Sequence, residues 1–130
     1  MENTRKVLIN QARKAKKNAY SPYSKFKVGA ALKTSNGKIY SGCNVENISY
    51  GLSNCAERTA VFKAVSEGIK KIDSIAISSS GKKPAFPCGA CRQVLVEFNP
   101  NMTVYIDGLD ETFKISELLI HSFDKKQLKY

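Results

Sequence analysis

Three cysteines constrain this chain more than anything else in it. Cys55 stands in Asn54-Cys55-Ala56-Glu57-Arg58, and Cys88 and Cys91 form the Cys-x-x-Cys of Pro87-Cys88-Gly89-Ala90-Cys91. Three thiolates bind one metal ion only where their sulfurs converge, so the fold has to bring two stretches that are distant in sequence to one point. Three sulfurs leave the fourth position of a tetrahedral zinc open, the arrangement of catalytic rather than structural sites. Glu57, two residues past Cys55, then offers a carboxylate beside that position, able to move protons between water and a substrate. Cys43 is the competing fourth ligand and would close the site as a structural one. Its place at the end of an expected strand, far from any Cys-x-x-Cys partner, favours a free buried thiol. His121, the single histidine, is assigned to the surface or to packing.

A length of 130 residues with 42% hydrophobic content fits one compact domain, 1–130, with enough chain to bury a core. No apolar run approaches the roughly 18 residues that cross a bilayer. Met1-Glu2-Asn3-Thr4-Arg5-Lys6 lacks the apolar stretch of a signal peptide, so the expectation is a cytoplasmic protein that does not use membranes. In a reducing compartment clustered cysteines serve as metal ligands rather than disulfides. The net charge of +10 raises nucleic acid as a partner. It is assigned instead to a lysine-rich solvated surface, because no aromatic and basic residues interleave as a strand-tracking groove requires.

Residues from Asn3 to Ala19 carry Leu8, Ala12, Ala15 and Ala19 at helical spacing, with Arg13, Lys14, Lys16 and Lys17 on the wet side as the best candidate for a phosphate-binding face. Ser21-Pro22-Tyr23-Ser24 stops that helix. Lys25–Thr34 alternates as a strand, Asn36-Gly37 signals a hairpin, and Lys38–Cys43 returns. Asn54 is an N-cap for a helix over 55–67, with Gly68 to end it. A strand over 72–79, a helix over 88–98, a strand over 102–106, a turn at Asp107-Gly108 and a strand over 111–115 follow. Ser116 caps a short last helix with Glu117 in its first turn, and the polar tail is expected to be loose at its very end. Alternating strands and helices imply an α/β layer fold, a sheet covered by helices on both faces.

Cys55 opens one expected helix, and Cys88 with Cys91 opens another. Helix N-termini carry partial positive charge and free N–H groups that stabilise thiolates. Three thiolates leave a divalent zinc shell at a formal −1, so further donors are expected. Arg58 and Gln93 are the candidates to donate to the sulfurs.

The pair Cys-Ala-Glu and Pro-Cys-x-x-Cys resembles the signature of the zinc-dependent nucleobase and nucleoside deaminases. More closely, the chain is similar to the short, homotetrameric branch of the cytidine deaminase family. The similarity runs through Phe26-Lys27-Val28-Gly29-Ala30-Ala31-Leu32, Gly42-Cys43-Asn44-Val45-Glu46-Asn47, Cys55-Ala56-Glu57-Arg58-Thr59-Ala60 and Pro87-Cys88-Gly89-Ala90-Cys91-Arg92-Gln93. The resemblance implies a three-layer sandwich around a mixed five-stranded sheet, one zinc per subunit on Cys55, Cys88 and Cys91, and a homotetramer with pockets shared between subunits. It implies that a zinc-activated water attacks C4 of the cytosine ring. Glu57 protonates N3 and then carries a proton to the amino group, releasing ammonia and uridine.

The backbone at Ala56 is implied to contact the base, and the Pro87 carbonyl to receive the leaving amine. Asn44 and Glu46 are implied to hold the ribose 3′-hydroxyl, and Phe26 to pack near the pyrimidine. Tyr50 and Phe123 match aromatics lent to a neighbouring subunit's pocket. Before Phe123 the chain reads Leu118-Leu119-Ile120-His121-Ser122, without the family's proline.

The function expected is deamination of cytidine and 2′-deoxycytidine in pyrimidine salvage. The alternatives are deamination of another small cytosine nucleoside, of antibiotic type, and a basic zinc-containing nucleic-acid-binding or editing protein.

Overall fold

The computed structural model describes residues 2–128; the end of the polar tail, expected to be loose, lies outside the described residues. Helix α1 (Glu2–Lys16) leads to strand β1 (Val28–Thr34) and β2 (Ile39–Cys43), then helix α2 (Ala56–Ser66) and strand β3 (Ile72–Ser79). Helix α3 (Gly89–Phe98), β4 (Thr103–Ile106), β5 (Thr112–Lys114) and the short α4 (Ile115–Leu118) complete the order. The strands form one five-stranded sheet ordered β2-β1-β3-β4-β5. It is mixed: β3 and β4 run parallel, joined through α3, while the other pairs are antiparallel.

The alternation of side chains along strands sorts the core into two layers. Ala31, Ala76 and Tyr105 face α1, packing on Leu8, Ile9 and Ala12. Their sequence neighbours Ala30, Leu32, Ile75, Ile77, Val104 and Ile106 face the opposite side, under Ala56, Ala60 and Val61 of α2 and Leu95 of α3. Burial on both faces explains the consecutive apolar residues Ile75-Ala76-Ile77 in the middle of β3.

Local chemistry departs from the expectations at five places. Helix α1 ends at Lys16, several residues before Pro22, and its cations turn partly inward. Lys16 Nζ donates to Ser78 Oγ at 3.0 Å, and Arg13 makes a bidentate pair with Asp107 at 2.8 and 2.6 Å, so the supposed phosphate-binding face is partly engaged by the protein itself. Strand β1 starts at Val28 rather than Lys25, because Lys25 is left-handed, with φ 61°. In the hairpin only Gly37 has positive φ, at 89°; with Thr34 N to Lys38 O at 2.8 Å and Gly37 N to Thr34 O at 3.0 Å, the connection is the longer loop with a left-handed last residue rather than a two-residue turn. Asn54 does not cap α2. It is extended and exchanges backbone bonds with Val45 at 3.0 and 2.9 Å, so Cys55 becomes the N-cap. Ser116 lies inside α4, whose N-cap is Lys114; Glu117 Oε1 accepts from Lys114 N at 2.7 Å.

Two pieces of this framework place the groups that line the cavity at the end of the sheet. Residues 44–46 bridge Tyr20 on one side and Asn54 on the other, so Asn44 and Glu46 share one side of a short extended run while exposed Val45 takes the other. Gly42 lets α2 lie directly on β2: a Cβ there would come within 2.6 Å of Ala60 N and 2.9 Å of the Thr59 side chain.

Gly42→Ala is therefore expected to destabilise the fold by roughly 1–3 kcal/mol through overpacking, read as a lower urea midpoint at unchanged slope. Hydrogen bonding from Arg13, and then from Ser78, holds the Asp107 carboxyl below its ordinary range. A depressed folded-state pKa contributes stability that is full above the unfolded value, near 4, and is lost as pH falls through the folded value. Since Arg13 is largely exposed, Asp107→Asn should cost no more than about 1 kcal/mol at pH 7, and the gap to wild type should close in acid.

Candidate metal centre and active-site cavity

Helices α2 and α3 both begin where β1 starts and β3 ends, the end at which Val28 pairs with Ser79. Cys55 and Cys88 are the N-caps of these helices, both extended, and neither side chain makes a capping bond. Their sulfurs are left free to turn to a common point, and Cys91, buried on the first turn of α3, joins them. The three Sγ atoms lie within 4.8 Å of one another, with Cys55 and Cys88 at 3.7 Å and no disulfide. Thiolates tetrahedral about zinc, each bond about 2.3 Å, sit about 3.8 Å apart; the cluster fits the ion. Cys43, half-buried and free at the end of β2, is outside the cluster, so the described residues offer three sulfurs and not four.

The electrostatics favour a cation at this cluster. The Cys55 thiol is pushed down to about 5, mainly by the hydrogen bond from Cys91 and then by that from Arg58, whose Nη2 lies 3.4 Å from Cys55 Sγ. Cys91 is pushed up for the complementary reason, as it donates to Cys55 and is buried. A divalent ion replaces the protons these sulfurs otherwise share. Glu57, on the first turn of α2, is 4% exposed, and burial pushes its carboxyl up to about 7.

A cavity of about 230 Å³ opens over these groups, lined by Cys55, Ala56, Glu57 and Cys88 together with Phe26, Asn44 and Glu46. An adjoining cavity of about 250 Å³ is lined by Glu46, Tyr23, Ser24 and Tyr50. Together they reach the roughly 300–1,000 Å³ usual for small-molecule sites. Asn44 Nδ2 donates to Phe26 O at 2.8 Å, and its Oδ1 accepts from Val28 N at 2.9 Å, so this side chain fastens the approach to β1 as well as facing the cavity.

Not every expected residue joins them. Tyr50, 73% exposed, lines only the adjoining cavity and packs against Tyr23 at 6.0 Å between ring centroids. Phe123, 59% exposed, lines neither. Gln93 does not donate to a sulfur: its Nε2 donates to Phe123 O at 2.8 Å and its Oε1 accepts from Phe123 N at 3.3 Å. The Pro87 carbonyl already accepts from Arg92 Nε at 2.7 Å. His121 is exposed, as expected.

Two contributors escaped sequence reasoning. Phe86 lines the cavity with its ring edge against Phe113 at 5.3 Å; an aromatic two residues before the Cys-x-x-Cys was the available signal. Arg92 ties the start of α3 to the C-terminal segment, donating also to Leu118 O at 2.6 Å, and nothing local in the sequence announces that partner.

Comparison with known proteins agrees with this geometry. The model of the cytidine and deoxycytidylate deaminase zinc-binding region matches residues 2–107. A cytidine deaminase of Sporosarcina psychrophila is 49% identical over 127 residues, 95% of this chain and 93% of that protein. One of Halalkalibacterium halodurans is 48% identical over 128 residues, 95% and 97% of the two chains. The crystal structure of cytidine deaminase from Burkholderia pseudomallei superposes with a TM-score of 0.86 at 46% identity, covering 91% of this chain and 98% of that one. No helix among the described residues is long and apolar enough to cross a membrane.

Elemental analysis of purified protein should find about one zinc per chain. Cys43→Ser should keep it, and Cys88→Ser and Cys91→Ser should lose it; a metal-free Cys43→Ser protein would make Cys43 a ligand after all.

Proposed function

The chain belongs to the cytidine and deoxycytidylate deaminase family, and from that premise we propose that it converts cytidine and 2′-deoxycytidine, with water, to uridine and 2′-deoxyuridine plus ammonia. It is then a hydrolase of C–N bonds, acting as one domain over 1–130, in the cytoplasm and in pyrimidine salvage. The observation that carries the reading is the buried carboxyl of Glu57 lining, beside a three-thiol cluster, a cavity that Phe26, Asn44 and Glu46 also line. A carboxyl at that position can take a proton from water and hand it on to a substrate.

Cys55, Cys88 and Cys91 hold zinc, which when bound supplies the Lewis acidity that makes water a nucleophile near neutral pH. Arg58 stays on Cys55 Sγ and offsets part of the three-thiolate charge. Glu57 takes the proton of the attacking water as the C4–O bond forms and delivers it to ring N3. It then moves the proton of the new C4 hydroxyl to the exocyclic amine, so that the C4–N bond breaks with ammonia as a neutral leaving group and the C4 oxygen becomes the carbonyl of uridine. Burial of Glu57 keeps bulk water from competing for those protons. The Ala56 backbone contacts the base, Phe26 packs beside it, and Asn44 and Glu46 hold the sugar hydroxyls, as suits a neutral nucleoside rather than a phosphate.

Tyr50 and Phe123, exposed and outside their own chain's main cavity, fit a homotetramer in which each subunit completes a neighbour's pocket. The clip between Gln93 and Phe123 holds the latter for that purpose.

The deciding measurement is the loss of cytidine absorbance with purified protein, beside deoxycytidine, CMP and a short cytosine-containing oligonucleotide. Both nucleosides should react; turnover of the oligonucleotide alone would overturn the assignment. Glu57→Gln should lower kcat by about 10²–10⁴-fold or more while zinc remains bound. Dilution to monomers should abolish activity, and a fully active monomer would contradict the shared pockets.

A further inference from the structure

We propose that Ser24 is a positioning residue for nucleoside binding, its hydroxyl locking the turn that presents Phe26 and fixing Glu46 beside it. This role rests on the nucleoside cavity proposed above. The turn before β1 is closed by Lys25 N donating to Ser21 O at 3.0 Å, and it forces Lys25 into the left-handed region, φ 61°. A lysine there carries strain that a glycine would not, so the surroundings have to hold it.

Ser24 and Glu46 do so. Ser24 Oγ accepts from Phe26 N at 3.0 Å and donates to Glu46 Oε2. Glu46 Oε1 accepts from Tyr23 N at 3.0 Å and Ser24 N at 3.2 Å. With Asn44 Nδ2 on Phe26 O at 2.8 Å, both backbone groups of Phe26 are fixed by side chains, one through Ser24. The same bonds, that from the Ser24 hydroxyl foremost, hold the Glu46 carboxyl below its ordinary range. Three donors already occupy a carboxylate that has about four acceptor directions. One direction remains, and Ser24 decides where it points.

Removing the hydroxyl frees Phe26 N and Glu46 Oε2 together and lets the left-handed residue relax. The loss falls on contacts made equally in the ground and transition states, so it belongs in KM and not in kcat. The test is steady-state deamination of cytidine by wild type, Ser24→Ala and Ser24→Thr, with calorimetric binding of uridine and thermal unfolding of each.

Ser24→Ala should raise KM, and weaken uridine binding, by about tenfold, with kcat within about twofold. Ser24→Thr, which keeps the hydroxyl, should stay near wild type. An Ala variant with wild-type KM, whether or not it is less stable, overturns the role, as does a Thr variant as impaired as Ala or a fall in kcat at constant KM. Should the Ala protein not fold, Ser24→Gly likewise removes the hydroxyl, and a wild-type KM there is equally fatal. Wild type that neither deaminates cytidine nor binds uridine removes the cavity assignment and Ser24 with it. An active wild type with an indifferent Ala variant removes Ser24 alone.

Discussion

Two helix N-termini meet at one end of the sheet with their capping positions occupied by cysteine, and the remainder of the site is arranged around that meeting. An N-cap residue normally spends its side chain on the helix's own free N–H groups. Cys55 and Cys88 do not, so both helices give up a side-chain cap and keep their positive ends directed at the sulfurs. The field that would have been quenched by a serine or aspartate instead favours thiolate, and Arg58 adds a full charge to it. Local helix stability is given up for an electrostatic environment that a divalent ion completes.

The second constraint is mechanical. Residues 44–46 sit between Tyr20 and Asn54, so one short extended run aligns the cavity-lining Asn44 and Glu46 with the chain that enters α2 at Cys55. Gly42, immediately upstream on β2, allows α2 to rest on the sheet. The thiol cluster and these cavity-lining side chains are thus fixed to the same few residues of backbone. The separation between them is set by main-chain hydrogen bonds rather than by flexible side chains.

How much of this arrangement is legible in the sequence depends on the range of each interaction. The layers are legible because period-2 and period-3.6 patterns act over a few residues, and the thiol cluster because Cys-x-x-Cys and Cys-Ala-Glu are local signals. Asn54 misleads because asparagine suits an N-cap and a bridge equally; Val45, nine residues away, decides between them. Gln93 misleads for the same reason at longer reach, its amide matching the backbone of Phe123 across 30 residues. The hub on Glu46 spans 22 residues to Ser24 and leaves no trace in composition or spacing. Arg13 and Lys16 read as free surface charge because Asp107 and Ser78, which engage them, lie far along the chain, in the turn after β4 and on β3.

The hairpin at residues 35–37 is exposed and lies at the far end of β1 from the cavity, seven strand residues away, or roughly 20 Å at strand rise. Lengthening a surface loop costs little closure entropy, growing only slowly with length. The chain therefore has a built-in attachment point. A fluorophore, an affinity tag or a tether to a solid support placed between Asn36 and Gly37 would immobilise the protein by the edge of its sheet, with the mouth of the cavity facing away from the surface.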